Sequence, residues 1–219
     1  MPKRIENKIQ KYYADRAKEY DRTYSRPERQ EDIKKIHLLL KNLLRGHKVL
    51  EIACGTGFWT KTIASVAKSI TAVDINNEVI QIAKNRLSGS KNVVFIQDDV
   101  YLLNKVQGVF SAGYAGSWWS HILKSNLKGF LDVFHSHLQP GALIIFMDNR
   151  YREGSSTTIS RTDSNGNTYQ IRKLDDGQEY EILKNYPNKQ EIMESLGSNV
   201  KKVQIDCLTY FWIAYYNIP

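Results

Sequence analysis

Residues 49–57 read Val-Leu-Glu-Ile-Ala-Cys-Gly-Thr-Gly, and no other stretch restricts the fold of this chain as much. An apolar run of strand type leads into a carboxylate, Glu51. Four residues later a Gly-x-Gly turn opens a helix. Glycine is needed twice where the backbone bends tightly and lets a ligand lie against it. Strand, glycine turn and helix in this order form the first unit of a parallel, helix-covered sheet with a nucleotide-type ligand at the turn.

The turn does not read as a dinucleotide site. A pyrophosphate fingerprint is G-x-G-x-x-G at a helix N-terminus. Here the third position is Thr60, and Phe58-Trp59-Thr60 is bulky where a diphosphate needs open backbone. Glu51 would also repel a phosphate. A carboxylate beside a tight turn suits a cofactor with a cationic end and no phosphate. S-adenosylmethionine (SAM) has an ammonium and a sulfonium. Glu51, Gly55 and Gly57 match the motif E/D-x-x-x-G-x-G, and on these residues the chain resembles the class I SAM-dependent methyltransferases. The resemblance implies that Glu51, Ala53, Gly55, Gly57 and Thr60 border SAM, or its product S-adenosylhomocysteine (SAH).

Further cofactor positions follow at regular spacing. Ser69–Asp74 is a second strand ending in an acid, 17 residues past Gly57. Asp74 is suited to accept from both ribose hydroxyls, with Ile75 next to it. Asn76 and Asn77 then open a helix over 78–87. A third strand, from Val93, ends in Asp98-Asp99-Val100. The resemblance implies an acid here for the adenine amino group and a backbone N–H for the ring, which points to Asp99 and Val100. Asp98 is the alternative, and a solvated turn carboxylate is the plain reading of either.

The 219 residues suit one α/β domain with a decorated edge. With 42% hydrophobic and 25% charged residues, the composition is that of an ordinary globular protein. No apolar run reaches the roughly 18 residues of a membrane span, so no membrane partner is expected. The polar start, Met1-Pro-Lys-Arg, lacks the pattern of a signal peptide. Two cysteines, Cys54 and Cys207, indicate no disulfide framework, and a reducing cytoplasm is expected. The net charge of +8 permits an anionic partner such as nucleic acid, but no basic stripe interleaved with aromatics favours one.

The pattern predicts a doubly wound, Rossmann-like sheet of seven mostly parallel strands with an antiparallel last strand. Helices over about 3–21 and 28–44 form an N-terminal cap, the second starting at Pro27. Strand 4 is expected over 108–114 and a helix over 122–138. Strand 5, Ala142–Met147, is a continuous apolar run of a doubly covered sheet. A helix over 188–196 and strands over 200–206 and 208–217 complete the chain as a single domain, 1–219. Residues 148–186 are extra. Within them Asp175-Asp176-Gly177 joins two alternating runs, a strong hairpin signal. This insertion follows strand 5 at the rim where ligands bind, so it reads as a substrate-side cap or as a dimerisation edge; the oligomer is a monomer or a homodimer.

Tyr12–Asp21 resembles a Y-D-x-x-A-x-x-Y-D segment that precedes the core of many small-molecule methyltransferases. Tyr13, Ala17, Tyr20 and Asp21 match, and Ala14 replaces the first acid. The resemblance puts Tyr13 and Tyr20 near the methionine end of SAM; core packing is the alternative.

The acceptor is expected beyond strand 4, at Gly113–His121, with Ala115 against the cofactor. No N/D-P-P-Y/F tetrad of base-amine chemistry and no Pro-Cys pair is present. Asp148-Asn149 matches the Mg²⁺-holding pair of catechol-type enzymes, but no acid stands at Ala115 or Gly116, so no metal is expected. His121 is the candidate base or substrate-orienting group, because its ordinary pKa lies near neutral; the alternative is a helix-start hydrogen bond. Trp118 and Trp119 either wall the acceptor or pack the core. Asn149, Arg150 and Tyr151 follow strand 5. Arg150, Arg152, Arg161 and Arg172 suit a carboxylate or phosphate on the substrate, or are solvated. The expected reaction is metal-free, in-line methyl transfer to O, N or C of a small molecule. The alternatives are an RNA-modifying methyltransferase and a SAM-binding regulatory protein without catalysis. Ser111 motivates the last, because family members often carry an acid in strand 4 there.

Overall fold

The computed structural model describes residues 2–219. In chain order its helices are α1 (Pro2–Asp15), α2 (Gln30–Leu43), α3 (Phe58–Ala64), α4 (Asn77–Arg86), α5 (Leu127–Ser136) and α6 (Lys189–Leu196). Its strands are β1 (Lys48–Ile52), β2 (Ser69–Asp74), β3 (Val93–Gln97), β4 (Phe110–Gly116), β5 (Leu138–Asn149), β6 (Arg161–Thr162), β7 (Thr168–Lys173), β8 (Glu179–Leu183), β9 (Lys201–Cys207) and β10 (Phe211–Asn217).

Seven strands form the central sheet in the order β3-β2-β1-β4-β5-β10-β9. β10 runs antiparallel to both neighbours, and the other pairings are parallel. The final strand therefore lies inside the sheet and β9 is the edge. Strand order reverses between β1 and β4, which opens a crevice at their C-terminal ends.

Alternate residues of each strand feed two cores. Val49, Ile145 and Ile213 face α2 and α3, where Ile33, Ile36 and Leu40 recur at helical spacing. Leu50, Ile144 and Trp212 face α5 and α6, against Phe130, Leu131, Phe134 and Ile192. Burial on both faces explains the unbroken apolar run of β5. The start of α6 is fixed by a capping box, with Asn188 and Glu191 serving each other's backbone N–H groups.

The insertion is a three-stranded sheet, β6-β7-β8, so a short strand adds to the expected hairpin. Gly177 makes the turn at a φ of +88°. α1 lies on this small sheet: Ile9 and Tyr12 pack with Tyr169, Leu174, Ile182 and Leu183. Arg22 grips Asp175 with two bonds of 2.8 and 2.6 Å. The N-terminal segment and the insertion thus meet over the C-terminal rim of the main sheet.

Several boundaries differ from expectation, among them β5, which runs from Leu138 to Asn149 and not over 142–147 alone. α1 stops at Asp15, and residues 17–23 form a 3₁₀ helix. β4 runs to Gly116, two residues further than the pattern suggests. α5 begins at Leu127 because Ile122 and Leu123 are extended, so Trp119–His121 forms its own 3₁₀ turn. Asn185 holds that break, donating its side-chain amide to the Ile122 carbonyl at 3.0 Å.

Gly57 supports the fold rather than a ligand. It sits at φ +75°, and a Cβ there would stand 2.9 Å from Leu87 and 3.0 Å from Ala83 on or beside α4. Gly57→Ala is expected to lower stability by about 2 kcal/mol, from backbone strain plus overpacking. Denaturant unfolding measures this, and a loss under about 0.5 kcal/mol would contradict the packing role.

Candidate functional site

Two cavities open in the crevice and share a wall made of Tyr13, Tyr20, Ser117 and His121. The larger, about 240 Å³, lies over the ends of β1, β2 and β3. Ala53 and Gly55 line it from the glycine turn, both with positive φ, at 52° and 54°. Asp74 lines it from the end of β2. Its carboxylate accepts from the N–H groups of Gly55 and Asn76, each at 2.9 Å. This ties the first turn to the second strand and leaves acceptor capacity toward the cavity. Burial pushes the Asp74 pKa up to about 6, against the pull of the N–H groups of Asn76, Gly55 and Ile75.

Ile75, Val79 and Val100 give this cavity apolar walls, and Asp99 supplies a carboxylate at its edge. Asp98 does not line it: its oxygens accept from the N–H groups of Asp99 and Lys105 and hold the loop. Among the described residues, no lysine or arginine lines the larger cavity. A pyrophosphate would find no countercharge there. A nucleoside with paired hydroxyls and a cationic end fits these acceptors, with Asp74 to accept from the hydroxyls and Asp99 from a ring amine.

The smaller cavity, about 60 Å³, is polar. The N-terminal segment contributes Arg16, Tyr24 and Arg29, the end of β5 contributes Asn149, and the insertion contributes Arg172, Lys184 and Tyr186. Lys184 is buried against Asp148, Nζ to Oδ1 at 3.0 Å, and donates to the Ser120 hydroxyl at 2.6 Å. The Ser120 N–H donates to the other Asp148 oxygen at 2.9 Å. Burial works against the Asp148 charge, but Lys184, His121 and two backbone N–H groups hold its pKa below the ordinary value.

His121 stands on the shared wall and is 4% exposed. Its Nδ1 lies 2.7 Å from the Leu183 carbonyl, which only accepts, so Nδ1 carries the proton. Nε2 is then an acceptor and takes the Tyr13 hydroxyl proton at 2.7 Å. Burial, with the neighbouring Lys184 charge, pushes the His121 pKa down to about 3, so the ring is neutral at physiological pH. Burial raises the Tyr13 pKa, which keeps that hydroxyl a donor.

The crevice therefore brings together Tyr13, Tyr20, Ala53, Gly55, Asp74, Ile75, Asp99, Val100, Trp118 and His121 around the larger cavity, and Asn149 around the smaller. Other expected residues lie elsewhere. Glu51 points beneath the turn into a space of about 10 Å³ beside Tyr114 and Trp59. Burial raises its pKa to about 8, the Thr60 hydroxyl opposing. Gly57 and Thr60 face the protein interior. Ala115 is core within β4, because that strand runs on and the chain emerges only at Ser117, at φ +57°. Trp119 packs edge-on against Phe146 and Trp212 and touches neither cavity. Arg150 turns to the Leu208 carbonyl and pins the turn between β9 and β10. Arg152 binds the Thr209 carbonyl and Arg161 pairs with Glu181. Ser111 sits at the opposite end of β4, serving His47 and the Lys48 N–H at 3.0 Å, so it bears on neither cavity.

Sequence reasoning missed Ser117, Tyr24, Arg29, Lys184 and Tyr186. Nothing in the spacing of Arg29 or Lys184 separates them from solvated neighbours. Arg16 had a signal, its place one turn from Tyr12, Tyr13 and Tyr20.

A family model described as a methyltransferase domain matches residues 49–141. Malonyl-[acyl-carrier protein] O-methyltransferase 2 of Ilyobacter polytropus is 27% identical over 143 residues, covering 64% of this chain and 52% of that protein. Demethylmenaquinone methyltransferase of Tropheryma whipplei is 36% identical over 50 residues, 23% of this chain and 21% of that one. The chain thus spans about half or less of the curated relatives it matches. Solved structures of DhpI align over nearly the whole chain. The DhpI–SAH complex has a TM-score of 0.79 at 26% identity, covering 98% of this chain and 97% of that one. The DhpI–SAM–HEP complex has a TM-score of 0.80 at 25% identity, covering 97% of each.

The raised Asp74 pKa gives a sign to test. The ionised carboxylate accepts from hydroxyls and the protonated one does so poorly, so SAH affinity is expected to be constant above pH 6. It should weaken toward tenfold per pH unit below that. For the free protein the sign is opposite. The folded pKa exceeds the unfolded one, so this group's contribution to stability is full below about pH 4 and is lost as pH rises through 6. Calorimetric titration with SAH from pH 5 to 8 reads the first effect, and a flat profile would contradict the role of Asp74. In fold, glycine turn and matching relatives this chain is similar to the class I SAM-dependent methyltransferases.

Proposed function

We propose that the protein transfers the methyl group of SAM to a small-molecule acceptor held in the smaller cavity. The carrying observation is that a carboxylate-lined, apolar-walled cavity and a separate polar one share the wall of Tyr13, Tyr20, Ser117 and His121. DhpI, similar along its whole length, has been solved with SAM and a second component together, which supports a two-ligand reading of two cavities.

When bound, SAM supplies an electrophilic methyl on a sulfonium. The chain's part is to orient and to manage one proton. Tyr13 and Tyr20 lie over the crevice and exclude water from its centre; a Cβ on Gly55 would meet the Tyr20 ring at 3.4 Å. Asp74 and Asp99 fix the nucleoside end, and the smaller cavity fixes the acceptor. Holding the reacting atoms about 3 Å apart supplies most of what an in-line transfer needs. The bond formed joins an acceptor lone pair to the methyl carbon, and the bond broken leaves its pair on sulfur. If the acceptor atom arrives protonated, Nε2 of His121 is the group placed to take the proton once the Tyr13 hydroxyl turns away from it, with Nδ1–H staying on the Leu183 carbonyl and an acceptor anion countering the Lys184 charge that holds the ring's basicity low.

A space of about 60 Å³ favours a small acceptor over an RNA nucleotide. No helix among the described residues is long and apolar enough to cross a membrane. Cys54 and Cys207 are both free, which supports a reducing, cytoplasmic setting.

Thermal shift with SAM, SAH and NADH tests the cofactor assignment, since a native-state ligand raises the melting temperature. SAM and SAH alone should do so; a shift with NADH instead would overturn the assignment. His121→Asn keeps a donor for Leu183 and removes Nε2. It is expected to cut the rate of SAH formation by about 10²–10⁴-fold on a hydroxyl or amine acceptor, with SAH affinity changed less than about tenfold. Unchanged turnover would remove His121 from proton transfer.

A further inference from the structure

We propose that the acceptor carries a compact, doubly charged oxyanion of phosphate type, held by the guanidinium groups of Arg16, Arg29 and Arg172. The inference rests on the methyltransferase reading for the identity of the acceptor cavity, but its charge argument stands on the cavity alone.

Four arginines line the smaller cavity; Arg26 lies 3.9 Å from Glu28 and donates to the Ser155 carbonyl, and the other three arrive from separate parts of the chain: just after α1, the turn before α2, and β7. None of these three is paired with a carboxylate among the described residues. Arg16 donates to the Thr23 hydroxyl at 3.0 Å and lies over the faces of Tyr12 and Tyr20. Arg172 donates to the Gln170 side-chain carbonyl. Arg29 is 6% exposed and donates to Asn149 at 3.2 Å and Ser155 at 3.4 Å, while its buried Nε has no partner. Elsewhere the chain pairs such groups: Arg22 with Asp175, Arg86 with Asp21, Arg161 with Glu181. Among the described residues, no aspartate or glutamate lines the smaller cavity. Lys184 does line it, but Asp148 already neutralises that charge.

Sequestered cations without a counterion are costly, and a ligand that supplies the missing charge relieves the cost. The planar guanidinium fork matches phosphate oxygens in pairs. Serine, threonine and tyrosine hydroxyls at Ser156, Thr157 and Tyr186 complete a donor-rich lining. The size agrees. About 60 Å³ corresponds to roughly four water-sized positions, enough for a tetrahedral oxyanion on a short carbon stub. A quinone ring or a carrier-protein arm would need more. An anion here also sits near His121 and opposes the Lys184 charge that disfavours its protonation.

The test is calorimetry on the SAH-saturated protein in a chloride buffer, with inorganic phosphate as probe and malonate as the carboxylate comparison. Phosphate is expected to bind at least tenfold tighter than malonate. Arg29→Gln and Arg172→Gln should each weaken phosphate at least tenfold while leaving SAH affinity within about twofold, which also shows that the variants are folded. Tighter malonate binding would overturn the phosphate-type head in favour of a carboxylate. Absence of anion binding, or phosphate affinity indifferent to both substitutions, would overturn the site itself. Failure of SAH to bind at the outset would instead strike the methyltransferase reading, and phosphate titrated into the SAH-free protein would still decide the anion site.

Discussion

The buried Lys184–Asp148 ion pair is the contact on which the site depends. Asp148 ends β5 in the main sheet, and Lys184 follows β8 in the insertion. Their bond, with Ser120 contributing a hydroxyl and an N–H, docks the small sheet onto the large one. The same docking brings the Leu183 carbonyl to His121 Nδ1, which fixes the tautomer and leaves Nε2 on the shared wall. A buried pair is weak evidence for stability, because desolvation offsets much of its attraction. Its contribution here is register: it sets where the insertion sits, and α1 then packs on the insertion.

Charge is sorted between the two cavities. Carboxylates and apolar walls line the larger cavity, and arginines with hydroxyls line the smaller one. The sorting works on orientation. A cationic sulfonium is drawn to the first and kept from the second, and an anion has the opposite preference. Neutral His121 and Tyr13, joined by a hydrogen bond of 2.7 Å, stand between them.

The core of the fold was legible in the sequence because its signals are local. The glycine turn, the acids closing β2 and β3, and the Asp-Gly hairpin each follow from backbone geometry at a few neighbouring residues. What was not legible depends on tertiary direction. Trp118 and Trp119 are chemically alike and adjacent, yet one lines the cavity and the other fills the core. Arg150 and Arg172 both read as suited to an anionic substrate or as solvated, and only the docked insertion decides that Arg172 lines the smaller cavity while Arg150 turns away. A two-residue extension of β4 moved the lining position from Ala115 to Ser117. Glu51 matches its motif, but its carboxyl turns under the turn, where burial favours the neutral form.

The central claim is that methyl donor and acceptor meet across the wall of Tyr13, Tyr20, Ser117 and His121. A crystal structure with SAH bound tests it most directly. The account predicts the ribose on Asp74, the adenine beside Asp99 and Val100, and the sulfur at that wall facing the arginine-lined cavity. SAH bound in reverse, with its sulfur away from His121, or bound outside the larger cavity, would contradict it.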